Sequence, residues 1–254
     1  MIEEGRFISP EKIVEDSKES TEGSLRPKIL DEFIGQEKIK NNLKEIIVET
    51  GIKMLAEGLT VGTWGNFSVR DPETGLIYIT PSGMAYNSLQ TEDVVVLDKD
   101  ANLADGKRIP SIEHPMHLAL YAARADVNAV VHTHPIYSTV LGVNGMELPA
   151  ISEDFAQIVG YKMSCSKYAL PGTKELGQNV VKGLGKENGV LLPNHGTVVV
   201  GANMPAALTI CHVVEKSAQT YILAKSIGTP NIIPDADIKA MQDYVQNEYG
   251  QKGA

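Results

Sequence analysis

The chain has 254 residues, 43% of them apolar and 22% charged, with a formal net charge of −9 at neutral pH. That balance describes an ordinary globular chain with ample core for one large domain or two small ones. The acidic surplus excludes nucleic acid as the main partner, because phosphate backbones demand extra Lys and Arg, but it leaves room for a local site that binds a phosphorylated small molecule.

Residues 1–24 are polar, rich in Glu, Lys and Ser, and without periodicity, which predicts extended or disordered chain. From residue 25 to 48, Leu30, Phe33, Ile34, Ile39, Leu43, Ile46 and Ile47 recur at helical spacing. That pattern runs on to about Glu57, where Gly58 ends it. Short β-like runs follow at 76–80, 94–97, 129–134, 190–192 and 197–200, separated by Gly, Pro and Asn turn signals. Helical patterns occupy about 111–123, 155–160, 173–183 and 204–227, and a last one covers 235–249. Strands and helices alternate, so the expected fold is α/β, a three-layer α/β/α arrangement. Several strand connections are too short for helical crossovers, so the sheet is expected to be largely antiparallel or mixed.

Two cysteines, Cys165 and Cys211, lie far apart and form no metal or redox motif. The start of the chain lacks the apolar stretch of a signal peptide, and no run approaches the ~20 apolar residues of a membrane span. A cytoplasmic protein is expected, with neither membrane nor nucleic-acid partners.

The run Ala129–Pro135 is an apolar strand ending in His132 and His134. Residues two apart in a strand share a face, so both imidazoles can reach one ion. A lone His-x-His also fits two satisfied polar residues at a strand end. His195 lies in a turn between two apolar runs, followed by Gly196, which permits close backbone approach. Three histidines suit an open metal site with positions left for substrate. Glu113 stands in Pro110-Ser111-Ile112-Glu113, which reads as a helix start with Ser111 as N-cap. There a Glu can complement the helix dipole or act as acid/base. His117, four residues on, shares its face and reads as a partner behind the site, whereas His114 and His212 read as structural. Gly62–Ser68, Thr80–Gly83 and Ser111 are loops that could either turn the chain or cradle an anion. No P-loop or dinucleotide fingerprint occurs.

In chain order, GTWGN at 62–66, TPSG at 80–83, PSIE at 110–113, HTHP at 132–135, PGTKEL at 171–176 and NHG at 194–196 resemble the motifs of the class II aldolase/adducin family. The likeness implies an α/β/α fold and a homotetramer with active sites between subunits. It implies zinc, with manganese or cobalt as alternatives, on His132, His134 and His195. Glu113 would be the catalytic acid/base and a ligand in the empty state. Gly65, Asn66, Ser82, Gly83 and Ser111 would bind the substrate phosphate, and Tyr249 would close the site. The implied reaction is reversible cleavage of a ketose 1-phosphate to dihydroxyacetone phosphate and an aldehyde. Its substrate would be L-fuculose 1-phosphate or a 5-deoxy or 5-methylthio pentulose 1-phosphate. Alternatives on the same fold are a pentulose-phosphate 4-epimerase, a methylthioribulose-1-phosphate dehydratase and an adducin-like scaffold module without catalysis. An Asp at the position of Glu113 would fit the epimerase, and loss of the histidines would fit the scaffold. Three positions depart from the fuculose-phosphate pattern: Ile112 replaces a serine, Glu153 a tyrosine and Pro171 a phenylalanine. Residues 1–44 separately resemble the opening of the Holliday-junction branch-migration helicase motor. The likeness stops before any P-loop, so this segment reads as a leader without ATPase chemistry, ahead of an aldolase domain at 45–254.

Overall fold

The computed structural model describes residues 37–249. The expected leader at 1–44 therefore lies almost wholly outside the described residues. The first helix, α1 (Glu37–Ala56), runs unbroken through position 44 and stops just before Gly58. Lys44 already belongs to the folded unit, since its Nζ lies 2.6 Å from Asp105 Oδ2. Then come β1 (Asn66–Arg70), β2 (Ile77–Ile79), β3 (Val95–Leu97), β4 (Leu103–Asp105), α2 (His114–Ala123), β5 (Ala129–Thr133) and α3 (Ile136–Val143). A short ribbon of β6 (Leu148–Pro149) and β7 (Lys162–Met163) encloses α4 (Glu153–Ile158). The chain ends with α5 (Lys174–Leu184), β8 (Gly189–Leu191), β9 (Thr197–Gly201), α6 (Met204–Ile227) and α7 (Asp235–Asn247).

Among the described residues, seven strands form one sheet in the order β4-β3-β2-β1-β5-β9-β8. Every pairing in it is antiparallel, as the short connections require. The central strands are buried on both faces, so they read as apolar runs rather than alternating ones. Parity still divides them. Phe67, Val69, Ala129, Val131 and Val199 pack with α1, α3 and α6. Val130, Val198 and Val200 pack with Met116, Leu120, Leu176 and Val180 of α2 and α5. The result is the expected three layers.

Parity also decides where the chemistry sits. Asn66 and Ser68 alternate with Phe67 and Val69, so they face the α2 layer. His132 follows Val130 by two and faces the same way, directly paired with Asn66. Asn66, Ser68 and His132 thus enter the α2 side of the sheet, with Arg70 further along β1 against Tyr121.

Two elements differ from expectation for physical reasons. The segment after Gly65 is a strand and not only a loop, because Asn66-Phe67-Ser68-Val69 alternates with period two. Helix α3, rich in β-branched residues, has no local cap. Its first N–H groups, those of Tyr137 and Ser138, donate to the Glu215 carboxylate of α6 at 2.7 and 2.9 Å. That start is set by a tertiary contact no local pattern carries.

Gly65 makes the approach of the loop ahead of β1 to the end of β5 workable. Its φ is +77°, and a Cβ there would stand 2.7 Å from the His132 carbonyl oxygen. Gly65→Ala is therefore expected to destabilise the fold by about 2 kcal/mol or more, and a lowered denaturation midpoint checks it.

Candidate active site

The helix α2 begins one turn later than the sequence suggested. Ser111 is not its N-cap. The residues from Ser111 to His114 form a turn, with the His114 N–H donating to the Ser111 carbonyl at 3.0 Å. Pro115 then occupies the first helical turn, where its missing N–H costs nothing. Glu113 stands at the N-cap position but makes no side-chain cap bond. The Ser111 hydroxyl accepts the Glu113 N–H instead, at 3.3 Å. The Glu113 carboxylate, 4% exposed, is free to turn inward.

There it meets three imidazoles. His132 Nε2 lies 2.8 Å from His134 Nε2 and 3.2 Å from His195 Nε2. Glu113 Oε2 is 3.2 Å from His132 Nε2, and Oε1 is 3.6 Å from His195 Nε2. His132 comes from the end of β5, and His134 from just beyond it. His195 comes from the β8–β9 hairpin, whose turn is closed by the Leu192 N–H donating to the Gly196 carbonyl at 2.8 Å. A Cβ on Gly196 would overlap the Thr133 carbonyl and the His134 ring, so only glycine lets this turn close on the triad.

The electrostatics favour neutral rings. Burial pushes His132 well below its ordinary pKa, and the His134 and His195 rings add to it. Burial likewise takes His134 down to about 4, helped by His195 and opposed by Glu113. His195 is lowered by burial against the pull of Glu113. His132 Nδ1 donates to the Thr197 carbonyl at 3.0 Å, so its Nε2 presents a lone pair. The Nε2 atoms of His134 and His195 converge on that lone pair. Glu113 Oε1 is buried with no hydrogen-bond partner. The ligand atoms of the three histidines lie within 4.8 Å of one another, and the set could hold a metal ion. Neutral imidazoles beside an orphaned carboxylate oxygen fit a divalent cation.

Behind the carboxylate, Asn66 Nδ2 donates to Glu113 Oε2 at 2.7 Å. His117, wholly buried, bonds Asn66 Oδ1 through Nε2 at 2.6 Å and Ser68 Oγ through Nδ1 at 2.7 Å. It is the partner behind the site that its helical spacing suggested. His114 and His212 serve elsewhere, His114 on the Ser111 carbonyl and His212 against Glu57 across α6 and α1. Sequence reasoning missed Ser68 and Tyr121; the period-two alternation through Ser68 was the signal for the first.

In front, a cavity of about 450 Å³ is lined by Gly65, Asn66, Ser82, Gly83, Ser111, Ile112, Glu113, His134, Pro171 and His195, with Trp64 at its rim. This size suits a small ligand. Every expected substrate-binding position reaches it. Tyr249 does not: it is 72% exposed, its ring packed on Tyr244 of the same tail. Glu153, at the start of α4, is also absent from the lining.

Residues 45–222 match the family model of the class II aldolase and adducin N-terminal domain. The chain belongs to this family. It is 40% identical over 209 residues to a 5-deoxy-D-ribulose 1-phosphate aldolase of Bacillus thuringiensis serovar kurstaki, covering 82% of this chain and 97% of the relative. It is 36% identical over 200 residues to the L-fuculose phosphate aldolase of Escherichia coli K12, covering 78% and 92%. A solved L-fuculose 1-phosphate aldolase superposes with a TM-score of 0.79 at 38% identity, covering 81% of this chain and 96% of that one.

The buried histidines make acid stability a readout of this site. His117 is pushed down to about 3 by burial, against an unfolded value near 6.5. Its contribution is therefore intact above pH 6.5 and is lost as pH falls toward 3, because only the unfolded chain takes up its proton. Denaturant titrations of metal-free protein between pH 7 and 4 are expected to show His117→Gln reducing the slope of stability with pH by about 1.4 kcal/mol per unit.

Proposed function

We propose that this protein is a metal-dependent aldolase that reversibly cleaves a ketose 1-phosphate to dihydroxyacetone phosphate and an aldehyde. The observation that carries this reading is the convergence of three imidazole nitrogens, on rings whose burial disfavours the charged form, beside the orphaned Oε1 of Glu113. In this reading His132, His134 and His195 hold the ion, zinc or alternatively manganese or cobalt, with Glu113 a further ligand in the empty state. A bound divalent ion supplies Lewis-acid stabilisation of the negative charge that gathers on the substrate's carbonyl oxygen.

The chain's own groups do the rest. When the C3–C4 bond breaks, the C4 hydroxyl loses its proton as C4 becomes the aldehyde carbon. The bond's electron pair stays with the three-carbon fragment, and Glu113 delivers one proton to C3 of that fragment. In the synthetic direction the same carboxylate removes the C3 proton and the new C4 oxygen gains one. Gly65, Asn66, Ser82, Gly83 and Ser111 hold the phosphate with hydroxyls and backbone N–H groups. Asn66 contributes only its remaining amide proton, because the other is committed to Glu113. Trp64, Ile112 and Pro171 put apolar surface around the cavity. That suits a ketose ending in a methyl or methylthio group, as 5-deoxy and 5-methylthio pentulose 1-phosphates and L-fuculose 1-phosphate do.

Tyr249 lies away from its own chain's cavity. We assign it to closing the site within a cytoplasmic homotetramer whose active sites lie between subunits. We assign residues 45–254 to the aldolase domain and 1–44 to a leader whose last residues, from Glu37, run on into the domain's first helix. No described helix is long and apolar enough to cross a membrane.

A screen of these ketose 1-phosphates with metal-replete protein, following dihydroxyacetone phosphate, tests the reading. Phosphate ester and free aldehyde are expected in equal amounts, chelation should abolish turnover, and Glu113→Gln should lower kcat by about 10²–10⁴-fold. Loss of water without dihydroxyacetone phosphate, or a Glu113→Gln protein that cleaves at full rate, contradicts it.

A further inference from the structure

The carboxylate that the proposed reaction needs is not fixed by a capping bond to its own helix. It is held from behind by a buried chain of side chains from two elements. Glu113 Oε2 accepts from Asn66 Nδ2 at 2.7 Å. Asn66 Oδ1 lies 2.6 Å from His117 Nε2. His117 Nδ1 lies 2.7 Å from Ser68 Oγ. The Tyr121 hydroxyl closes the row, 2.8 Å from Ser68 Oγ and donating to the Ser68 carbonyl at 2.9 Å. His117 and Ser68 are completely buried, and Asn66, Glu113 and Tyr121 are each 4% exposed.

Proton counting gives this chain one direction. An ionised carboxylate only accepts, so the Asn66 NH₂ must face Glu113 and its oxygen must face His117. His117 Nε2 must then carry a proton. The ring is neutral, because burial lowers its pKa to about 3, so Nδ1 is an acceptor and the Ser68 hydroxyl donates to it, which leaves the single Tyr121 proton shared between the Ser68 Oγ and the Ser68 carbonyl. The opposite tautomer would set a bare Nε2 against Asn66 Oδ1. Turning the Asn66 amide over to suit it would set Oδ1 against Glu113 Oε2, two acceptors face to face. One proton on one imidazole nitrogen therefore decides which atom of Asn66 meets the carboxylate. Oε2 is tethered in this way while Oε1 stays without a partner beside His195.

We propose that His117 is a positioning residue: held by Ser68 in its Nε2–H form, it locks the Asn66 amide and so fixes the Glu113 carboxylate for proton transfer. This rests on the aldolase reading for its catalytic consequence, though not for the tautomer itself. His117 touches neither substrate nor any of the three converging imidazoles.

Two variants and one spectrum test it. Glutamine places a carboxamide nitrogen near the His Nε2 position and can still donate to Asn66; leucine fills the space without a donor. His117→Leu is expected to lower kcat on the cleaved ketose 1-phosphate by about 10²-fold, within the range for a misplaced acid/base. Its KM and its divalent-metal content should stay within about threefold of the parent, on the order of a bystander effect. His117→Gln should recover most of the lost kcat. Equal losses in the two variants, or loss of bound metal along with kcat, would mean that His117 merely packs the core and would overturn the inference. The second readout is independent of turnover. ¹⁵N spectra of selectively labelled metal-free protein, with the His117 resonance assigned by its absence from His117→Gln, should show the proton on Nε2. A proton on Nδ1 overturns the inference even if cleavage is robust. Absence of cleavage with the Nε2–H form present overturns the aldolase reading and leaves the positioning geometry standing.

Discussion

A buried carboxylate meets one buried and two half-buried imidazoles beside the cavity. Burying an ionised carboxylate is costly unless it is paired, and burying imidazoles drives off their protons. Each tendency worsens the other's position, since neutral rings bring no positive charge to the carboxylate. The surrounding structure is arranged around that tension. Asn66 satisfies one oxygen of Glu113, the Thr197 carbonyl takes the Nδ1 proton of His132, the three Nε2 atoms face one another, and Oε1 of Glu113 is left without a partner. A cation at the point of convergence would relieve both costs at once, which is why the proposed chemistry follows from the packing.

The fold supplies the convergence through strand parity and hairpin closure. Strand β5 delivers His132 to the α2 face, and the antiparallel β8–β9 hairpin carries His195 to the same rim. A one-residue slip in either register would turn the ligand to the opposite layer. The apolar runs that flank these histidines therefore do more than fill the core. Buried Val130, Val131, Val198 and Val199 fix the register that aims the polar residues beyond them.

Much of this was legible in the sequence. The antiparallel sheet followed from short connections, and the strand at His132 and His134 followed from apolar runs and their spacing. The match to a known family gathered Glu113 and His195 with them, which spacing alone could not, because those residues meet only through tertiary contacts. What escaped was the start of α2, where Pro115 shifted the helix by one turn and released Glu113 from capping. The strand β1 was also hidden, because its first residues read equally well as a Gly-Asn turn. With β1 missed, the parity of Asn66 and Ser68, and hence the row behind Glu113, could not be seen. The sequence resemblance sets three positions apart from the fuculose-phosphate pattern. Of these, Ile112 and Pro171 line the cavity, whereas Glu153 does not.

The central claim is that the converging nitrogens are a metal site rather than a packed histidine cluster. X-ray absorption at the metal edge of protein loaded with one equivalent of zinc tests it most directly. A metal site there gives three imidazole nitrogens at about 2.0–2.1 Å with oxygen completing the coordination, a pattern lost when His195 is replaced by alanine. A shell of oxygen ligands alone, or one that survives the loss of His195, would contradict it.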